Sequence, residues 1–524
     1  MLKQLDRTEF IAVMGKEIDT HERRGHWELC KKSDVPDGMK TIMSLWAFKR
    51  KRLPSGDLLK HKARLCAHGG QQQWGINYWE TYAPVANWAS VRLLLALSHI
   101  HGLESKSIDF VLAFPQAVLD TEVYMEIPQG FERHIDGHTH VLLLKRSIYG
   151  LKQSNYNFYQ KLTKALKSRG INPCSTDSCV FASKNLIILV YVDDVLIFSK
   201  KKLWIDMFIK SLAEGEENFE LTDEGSIDKY LGVEIQTHSD GSYELKQPYL
   251  TQRILQELNL SAVDTQKRPT PVATPLLHKD LQGHARVKSW NYRSVIGMLT
   301  YLQGISRPDI SMAVHQCARF SAYPKLNHER AVTRIGRYLI DTVGRGLVCK
   351  VDRSKGLECF VDADFAGGWN SDDPLNPENV LSRTGFVIMY ADVPVFWRSK
   401  LQTEIALSTC EAEYIALSAA MREVIPLIQL LEDLKVACDI ITSPPIVTCR
   451  VFEDNQSCIA VAESKKPPTR TKHIAIKYHH FRSLVENDTI KINYIDTKKQ
   501  LADILTKPVE NSQFFKLRFM LMGW

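Results

Sequence analysis

No Cys-x-x-Cys pair occurs in this chain, although it holds eleven cysteines; their scatter and odd number argue against a zinc module and for reduced intracellular thiols. No uninterrupted apolar stretch reaches the about 18 residues that cross a bilayer, so no membrane partner is expected. Lys3 and further charged residues follow Met1 where a secretory signal needs an apolar core. There is no internal repeat and no low-complexity tract. What is present has the composition of a soluble globular protein with room for several domains: 524 residues, 44% hydrophobic and 24% charged. The net charge of +7 is mildly basic and fits a polyanionic partner only loosely. Lys49-Arg50-Lys51-Arg52, followed by Lys60, Lys62 and Arg64, concentrates that charge. Such a run reads as a nucleic-acid contact, or else as a solvated loop or nuclear-import signal.

The most informative residues are Tyr191-Val192-Asp193-Asp194-Val195-Leu196-Ile197-Phe198, which end an apolar run beginning at Leu186. Burying an unpaired charge costs several kcal/mol, so adjacent carboxylates in such a context need a metal or a cationic partner. Leu186–Val192 and Val195–Ser199 read as β-strands, with Asp193 and Asp194 at the tip of a hairpin. An ordinary polar turn explains the pair equally well in isolation. A lone acid, Asp109, closes a further strand, Ser107–Phe114. Three carboxylates on hydrophobic strands suit hard cations such as Mg²⁺.

Around them the pattern is mixed α+β. Helices are expected over Ser90–Ile100, Tyr156–Ser168, Tyr292–Ile340, Cys410–Leu434 and Leu501–Thr506, and strands over Leu357–Asp362 and Ile446–Phe452. Residues 260–290, with Pro269, Pro271 and Pro275, read as a connector, and Asn370–Glu378 as a loop. Four more acids stand at strand ends or on helices: Asp362, Glu413, Asp454 and Asp503. Each alone is as well explained as a cap; together they could hold two Mg²⁺ ions for phosphodiester hydrolysis. Glu411 and Glu413 lie two apart on one helix, rotated by about 200°. Glu413 shares the face of Ala416, Leu417 and Ala420, so Glu413 is expected at the metals and Glu411 towards solvent. His479-His480 has no Cys or third His nearby and reads as a helical surface or an RNA-facing pair.

The ordered series Lys62-Ala63-Arg64-Leu65, Tyr82-Ala83-Pro84-Val85, Val91-Arg92-Leu93-Leu94-Leu95-Ala96, Asp109 to Phe114, Val123-Tyr124-Met125, Ser147-Ile148-Tyr149-Gly150-Leu151-Lys152-Gln153 and Tyr191-Val192-Asp193-Asp194 resembles a copia-type retrotransposon reverse transcriptase. Tyr230-Leu231-Gly232 resembles that family's primer grip, and Arg307-Pro308-Asp309-Ile310 the segment after the polymerase. Val361-Asp362-Ala363-Asp364, Ser408-Thr409-Cys410-Glu411-Ala412-Glu413, Glu453-Asp454-Asn455-Gln456, Arg470-Thr471-Lys472-His473-Ile474, Leu501-Ala502-Asp503 and Thr506-Lys507-Pro508 resemble the ribonuclease H part of the same polyprotein.

The resemblance implies an α+β multidomain protein. A right-hand polymerase would place fingers and palm in residues 1–240 and thumb and linker in 241–290. A connection segment (291–352) and a C-terminal α/β ribonuclease H-like domain (353–524) would follow. It implies an RNA-directed DNA polymerase with ribonuclease H activity, using Mg²⁺ or Mn²⁺. Its partners would be an RNA template, a DNA primer, an RNA–DNA hybrid and deoxynucleotides, in a cytoplasmic virus-like particle or the nucleus. Asp109, Asp193 and Asp194 would hold the polymerase metals, and Asp362, Glu413, Asp454 and Asp503 those of the nuclease. Phe114 would lie under the sugar and exclude a 2′-hydroxyl, and Gln153 would belong to the template and nucleotide contact. Lys62 or Arg64 would touch the triphosphate. Two departures each remove a positive charge near nucleic acid: Ser154-Asn155-Tyr156-Asn157 where the family has Pro-Arg, and His68-Gly69-Gly70 where it has a basic and an aromatic residue. An inactive element copy that still binds nucleic acid is the alternative.

Overall fold

A computed structural model describes the chain except residues 1–5, 53–57, 133, 136, 262–265, 281, 371–375, 440–447 and 465–475. It divides into two compact units assembled from interleaved stretches: Met1–Ala86, Ser105–Pro173 and Ser178–Ser226 in one, and Asn87–Glu104, Cys174–Asp177 and Ile227–Trp524 in the other.

In the first unit the basic run lies on an antiparallel ribbon, β1 (Ser44–Arg52) with β2 (Leu58–Ala67), and not on a loop. Lys49 stands opposite Lys62 and Lys51 opposite Lys60, like-charge pairs that destabilise a ribbon left to itself. The main sheet has six strands. β3 (Glu104–Phe110) ends four residues sooner than the apolar pattern suggests. Leu112 adopts φ +49°, and the chain turns into a short helix, α1 (Ala113–Gln116). Phe110, Ala113 and Ala117 all remain buried in one core, so the apolar run reflects packing and not a longer strand. The amphipathic helix α2 (Ser154–Ser168) packs Phe158, Leu162 and Leu166 into that core.

The hairpin is β4 (Ile187–Tyr191) and β5 (Asp194–Ser199), with Tyr191 paired to Asp194 across a Val192-Asp193 turn. Val192 takes φ +58°, a costly region for a β-branched residue. β3 lies beside β5 on one side and β6 (Leu221–Gly225) on the other. Every residue of β4 before Tyr191 is buried, as is every residue of β5 after Asp194, which accounts for the continuous apolar reading.

In the second unit the helical stretch expected over Tyr292–Ile340 is broken into α3 (Tyr292–Ile305), a 3₁₀ turn at Pro308–Ile310, a helix at Ser311–Ala318 and α4 (Leu326–Ile340). Pro308 forces the first break by disfavouring helix at Arg307. Arg307 is fully buried and grips Asp309 with two bonds of 2.9 and 2.7 Å. Tyr338 of α4 donates to Asp309 at 2.6 Å, and Arg307 donates to Thr342 Oγ1 at 2.9 Å.

A five-stranded sheet follows, in the order β9–β8–β7–β10–β11: β7 (Leu357–Asp364), β8 (Arg383–Tyr390), β9 (Val393–Leu401), β10 (Cys449–Glu453) and β11 (Ile490–Tyr494). β7 runs antiparallel to β8 and parallel to β10, and β10 parallel to β11. The strand expected from Ile446 starts at Cys449, with residues 440–447 outside the description. The loop expected at Asn370–Glu378 includes undescribed residues 371–375 and ends in a helical turn, Pro377–Val380, capped by Asn376. The Arg470–Ile474 segment also lies outside the described residues.

Helix α5 (Thr409–Ala437) is long and apolar enough to cross a membrane by length and composition, yet 67% of its most apolar window is buried, packed on β7 and β8. A short helix, α6 (Asp503–Thr506), follows, and a last helix, Asn511–Met522, comes after it. The helix Trp88–His101, distant in sequence, packs on β9. Its Arg92 donates to Val395 O at 2.8 Å and lies 4.0 Å from the Trp397 ring.

Asp309→Asn leaves Arg307 buried without its counter-charge and should cost roughly 3–5 kcal/mol. The check is the thermal transition of this unit, with Asp309→Glu as the charge-retaining comparison. A transition unmoved by Asp309→Asn would remove the ion pair from the list of supports.

Candidate metal centres

In the first unit β3 is stitched to the hairpin by its last residue: the Phe110 N–H donates to Asp193 O at 3.1 Å. That bond sets Asp109 beside the Val192-Asp193 turn. Burial, then Asp193 and Asp109, push Asp194 up to about 6. Burial also raises Asp109, helped by Asp193 and Glu224 and opposed by Lys62 and Lys51. Glu224 on β6 is thus a further acid at this centre that sequence reading missed.

Of Lys62 and Arg64, Lys62 is the one whose charge bears on Asp109, and burial lowers its own pKa, followed by repulsion from Arg64. Arg64 instead stacks on Tyr149 at 4.4 Å, and Phe114 packs edge-on against the same ring at 4.9 Å. Gln153 does not present its amide to a template. It is fully buried, donates to Asn77 O at 2.9 Å and Thr121 Oγ1 at 3.2 Å, and accepts from Gln72 at 2.9 Å. A buried amide must satisfy its own hydrogen bonds, and here it spends them holding two neighbouring segments together.

The second unit gathers its acids more tightly. Asp362, Glu413 and Asp454 offer ligand atoms that all lie within 4.8 Å of one another, the one such group found among the described residues; the Asp109, Asp193 and Asp194 carboxylates do not meet that spacing. The cause is the topology. β7 and β10 pair in parallel up to Phe360 and Phe452, then part, and Asp362 and Asp454 lie just beyond their carboxyl-end crevice. Gln500 fills the gap, donating to Val361 O at 2.7 Å and Phe452 O at 3.3 Å. Gly385, opposite Asp362, lets α6 approach: a Cβ there would collide with Thr506 Cγ2 and come within 3.0 Å of Leu505 Cβ. Thr506 accordingly donates its hydroxyl to Asp362.

Asp503 is the fourth acid, paired with Lys507 at 2.8 Å; the same ammonium stands 3.6 Å from Asp362. Burial, then Asp362, raises Asp503 to about 7. Burial, then Glu453, Asp362 and Asp454, drives Glu413 to about 11. Glu413 Oε2 is buried with no hydrogen-bond partner. An all-oxygen donor set of crowded, desolvated carboxylates with an orphaned atom fits a hard divalent cation.

Two findings depart from the sequence reading. Glu411 does not face solvent: it is buried, accepts from the Leu407 N–H at 2.7 Å, and its own N–H donates to Ser408 Oγ at 3.1 Å. It caps α5 in a box-like arrangement, which the Ser-x-x-Glu spacing already encodes. Glu453 is fully buried behind Asp454, and burial raises its pKa strongly. The alternation Cys449, Val451, Glu453 on β10 was its signal. Lys507, four residues after Asp503 on the same turn, was likewise legible as a partner. His479 and His480 bond Tyr414 and Ser418 of α5 at 2.8 and 3.5 Å.

Comparisons with known sequences point to one group. Residues 26–273 match the family described as reverse transcriptase (RNA-dependent DNA polymerase). The chain is 32% identical over 531 residues to the retrovirus-related Pol polyprotein from transposon TNT 1-94 of Nicotiana tabacum, covering 98% of this chain and 38% of that protein. It is 30% identical to the corresponding polyprotein from transposon RE1 of Arabidopsis thaliana, covering 96% of this chain and 33% of the relative. The chain therefore spans about a third of the length of each relative. A foamy viral protease–reverse transcriptase solved with double-stranded DNA aligns with a TM-score of 0.48 at 13% identity, over 94% of this chain and 70% of that one.

Glu413→Gln should abolish the thermal stabilisation that Mg²⁺ gives the second unit. Glu411→Gln should lower the transition without Mg²⁺, by about 1 kcal/mol for a weakened cap, and leave the Mg²⁺ increment intact. The reverse pattern would mean that the phase of α5 is wrong. The increment should also depend on pH. The raised carboxyls of this unit bind more protons folded than unfolded, so its stability without metal falls as pH rises from about 4 through about 7 for Asp503 and on towards about 11 for Glu413. Metal must displace those protons, so the Mg²⁺-induced rise in Tm should be small near pH 5 and large near pH 8. An increment flat across that range would contradict the site.

Proposed function

The chain is a relative of copia-type retrotransposon Pol polyproteins, with a reverse transcriptase region at residues 26–273, and on that premise we propose that it copies RNA into DNA at the Asp109, Asp193 and Asp194 centre and cuts the RNA strand of the resulting hybrid at the Asp362, Glu413, Asp454 and Asp503 centre. The observation that carries the second half is the cluster of three acids, two of them buried, whose ligand atoms lie within 4.8 Å of one another at the open ends of two parallel strands. Residues 1–240 then supply fingers and palm, 241–290 the thumb and linker, 291–352 the connection, and 353–524 the nuclease.

Divalent ions such as Mg²⁺, held by these carboxylates, would supply the charge needed to activate a hydroxyl or water and to stabilise the leaving oxygen. The chain's own residues do the rest. The hairpin turn and the Phe110 bond hold Asp193 and Asp109 side by side. Lys62 and Lys51 of the β1–β2 ribbon, whose charges bear on Asp109, would meet the triphosphate. Phe114 rests on Tyr149, which fixes the ring as a steric wall against a 2′-hydroxyl. In the nuclease, Thr506 and Lys507 orient Asp362 and Asp503.

Two separate centres make a separable test. Asp193→Asn should abolish primer extension on an RNA template and leave cleavage of a preformed hybrid, and Asp454→Asn should do the opposite. Loss of a metal ligand should cost orders of magnitude in rate at one site only, since the two centres share no residue and belong to different units. Extension surviving in Asp193→Asn, or both activities falling together in a folded variant, would overturn the reading.

A further inference from the structure

A row of arginines in the second unit lines a cavity that neither metal centre uses. The connector passes over α4, and between them lies a cavity of about 910 Å³. Arg268, Lys279, Lys288, Arg330, Arg334 and Arg337 line it, against two acids. One of those acids is already engaged: Glu329 accepts from the Lys288 N–H at 2.9 Å and pairs with Arg286 at 3.3 Å. Among the described residues none of the six cations forms an ion pair, and Arg337 Nε is buried without a hydrogen-bond partner. Arg330, Arg334 and Arg337 stand at i, i+4 and i+7 on one face of α4, a like-charge stripe that weakens a helix unless an anion lies along it.

The stripe also leads somewhere. Arg334 borders a second, smaller cavity of about 140 Å³ whose wall includes Lys507. Lys507 is the ammonium 2.8 Å from Asp503 and 3.6 Å from Asp362. Cationic side chains thus run from α4 to the edge of the carboxylate cluster. No Phe, Tyr or Trp lines the larger cavity, and His278 is its one ring among the described residues, so stacking on bases has little to work with there. A ligand held there is held by its phosphates and without regard to sequence. From Arg330 to Arg337 the helix rises about 10 Å, room for roughly three phosphates of one strand.

We infer that the cavity holds backbone phosphates of the nucleic-acid strand that enters or leaves the Asp362, Glu413 and Asp454 cluster. The inference rests on the hydrolytic reading of that cluster. The test is fluorescence anisotropy of the full chain with a labelled RNA–DNA hybrid, metal chelated, across a salt series. Arg330→Gln with Arg337→Gln should weaken binding and reduce the slope of log K against log salt by about 1.4–1.8, for two lost phosphate contacts. Arg330→Lys with Arg337→Lys should retain the slope, which separates charge from misfolding. Arg422→Gln with Lys435→Gln, removing equal charge from the exposed side of α5, should leave it unchanged. Arg334 is left alone because it also braces Thr270 through bonds of 3.1 and 2.9 Å. Equal slopes for the two Gln variants overturn the inference, even if the wild-type chain cleaves hybrids. A reduced slope in a chain that cleaves nothing would uphold the cavity and sink the hydrolytic reading instead.

Discussion

Carboxylates forced together away from water are the constraint around which the second unit is built. Desolvation is the largest influence on Asp362, Glu413, Glu453 and Asp503 alike, and mutual repulsion adds to it for each. Such a cluster survives folding only if its surroundings leave it no other arrangement. Gln500 wedges the parting strands, Gly385 admits α6, Lys507 offsets two of the charges, and Ser408 with Glu411 anchors the start of α5. None of these residues needs to touch a reacting atom, yet the ligand geometry depends on each of them.

The first unit solves a related problem with less burial and more backbone. Its acids sit on a hairpin tip and a strand end, tied by the pairing of β3 with β5 and by a main-chain bond from Phe110 to Asp193 beyond it. The turn holds Val192 in a strained conformation, so the tip is kept in place by the well-packed strands below it. Gln153 plays the corresponding supporting part, with its amide wholly consumed by Asn77, Thr121 and Gln72.

What could be read from sequence followed from periodicity. The hairpin was visible because β4 and β5 are buried throughout, and Glu413 because its helical phase matches Ala416, Leu417 and Ala420. Asp362 and Asp454 were visible as acids ending apolar strands. Glu411 and Gln153 share a cause: side-chain hydrogen bonds fix where each one points. Glu411 turned inward to cap its own helix, and Gln153 spends its amide on buried partners. The end of β3 was misjudged because a core-packed turn at Leu112 and a strand have the same apolar composition. Glu453 was overlooked because its more familiar neighbour drew attention from the strict alternation of β10.

The helix Trp88–His101 has a consequence for how the molecule can be made and inherited. Its buried face belongs with the second unit, although it is translated before most of the first. During synthesis that apolar segment must wait for β9 to emerge, so the first unit matures around a loop that has no partner of its own. No single cut in the gene separates the two units cleanly. A recombination breakpoint near residue 226 would strand a greasy helix on one product and leave an open face on β9 in the other. The two activities proposed for this chain are thereby tied to travel as one hereditary piece.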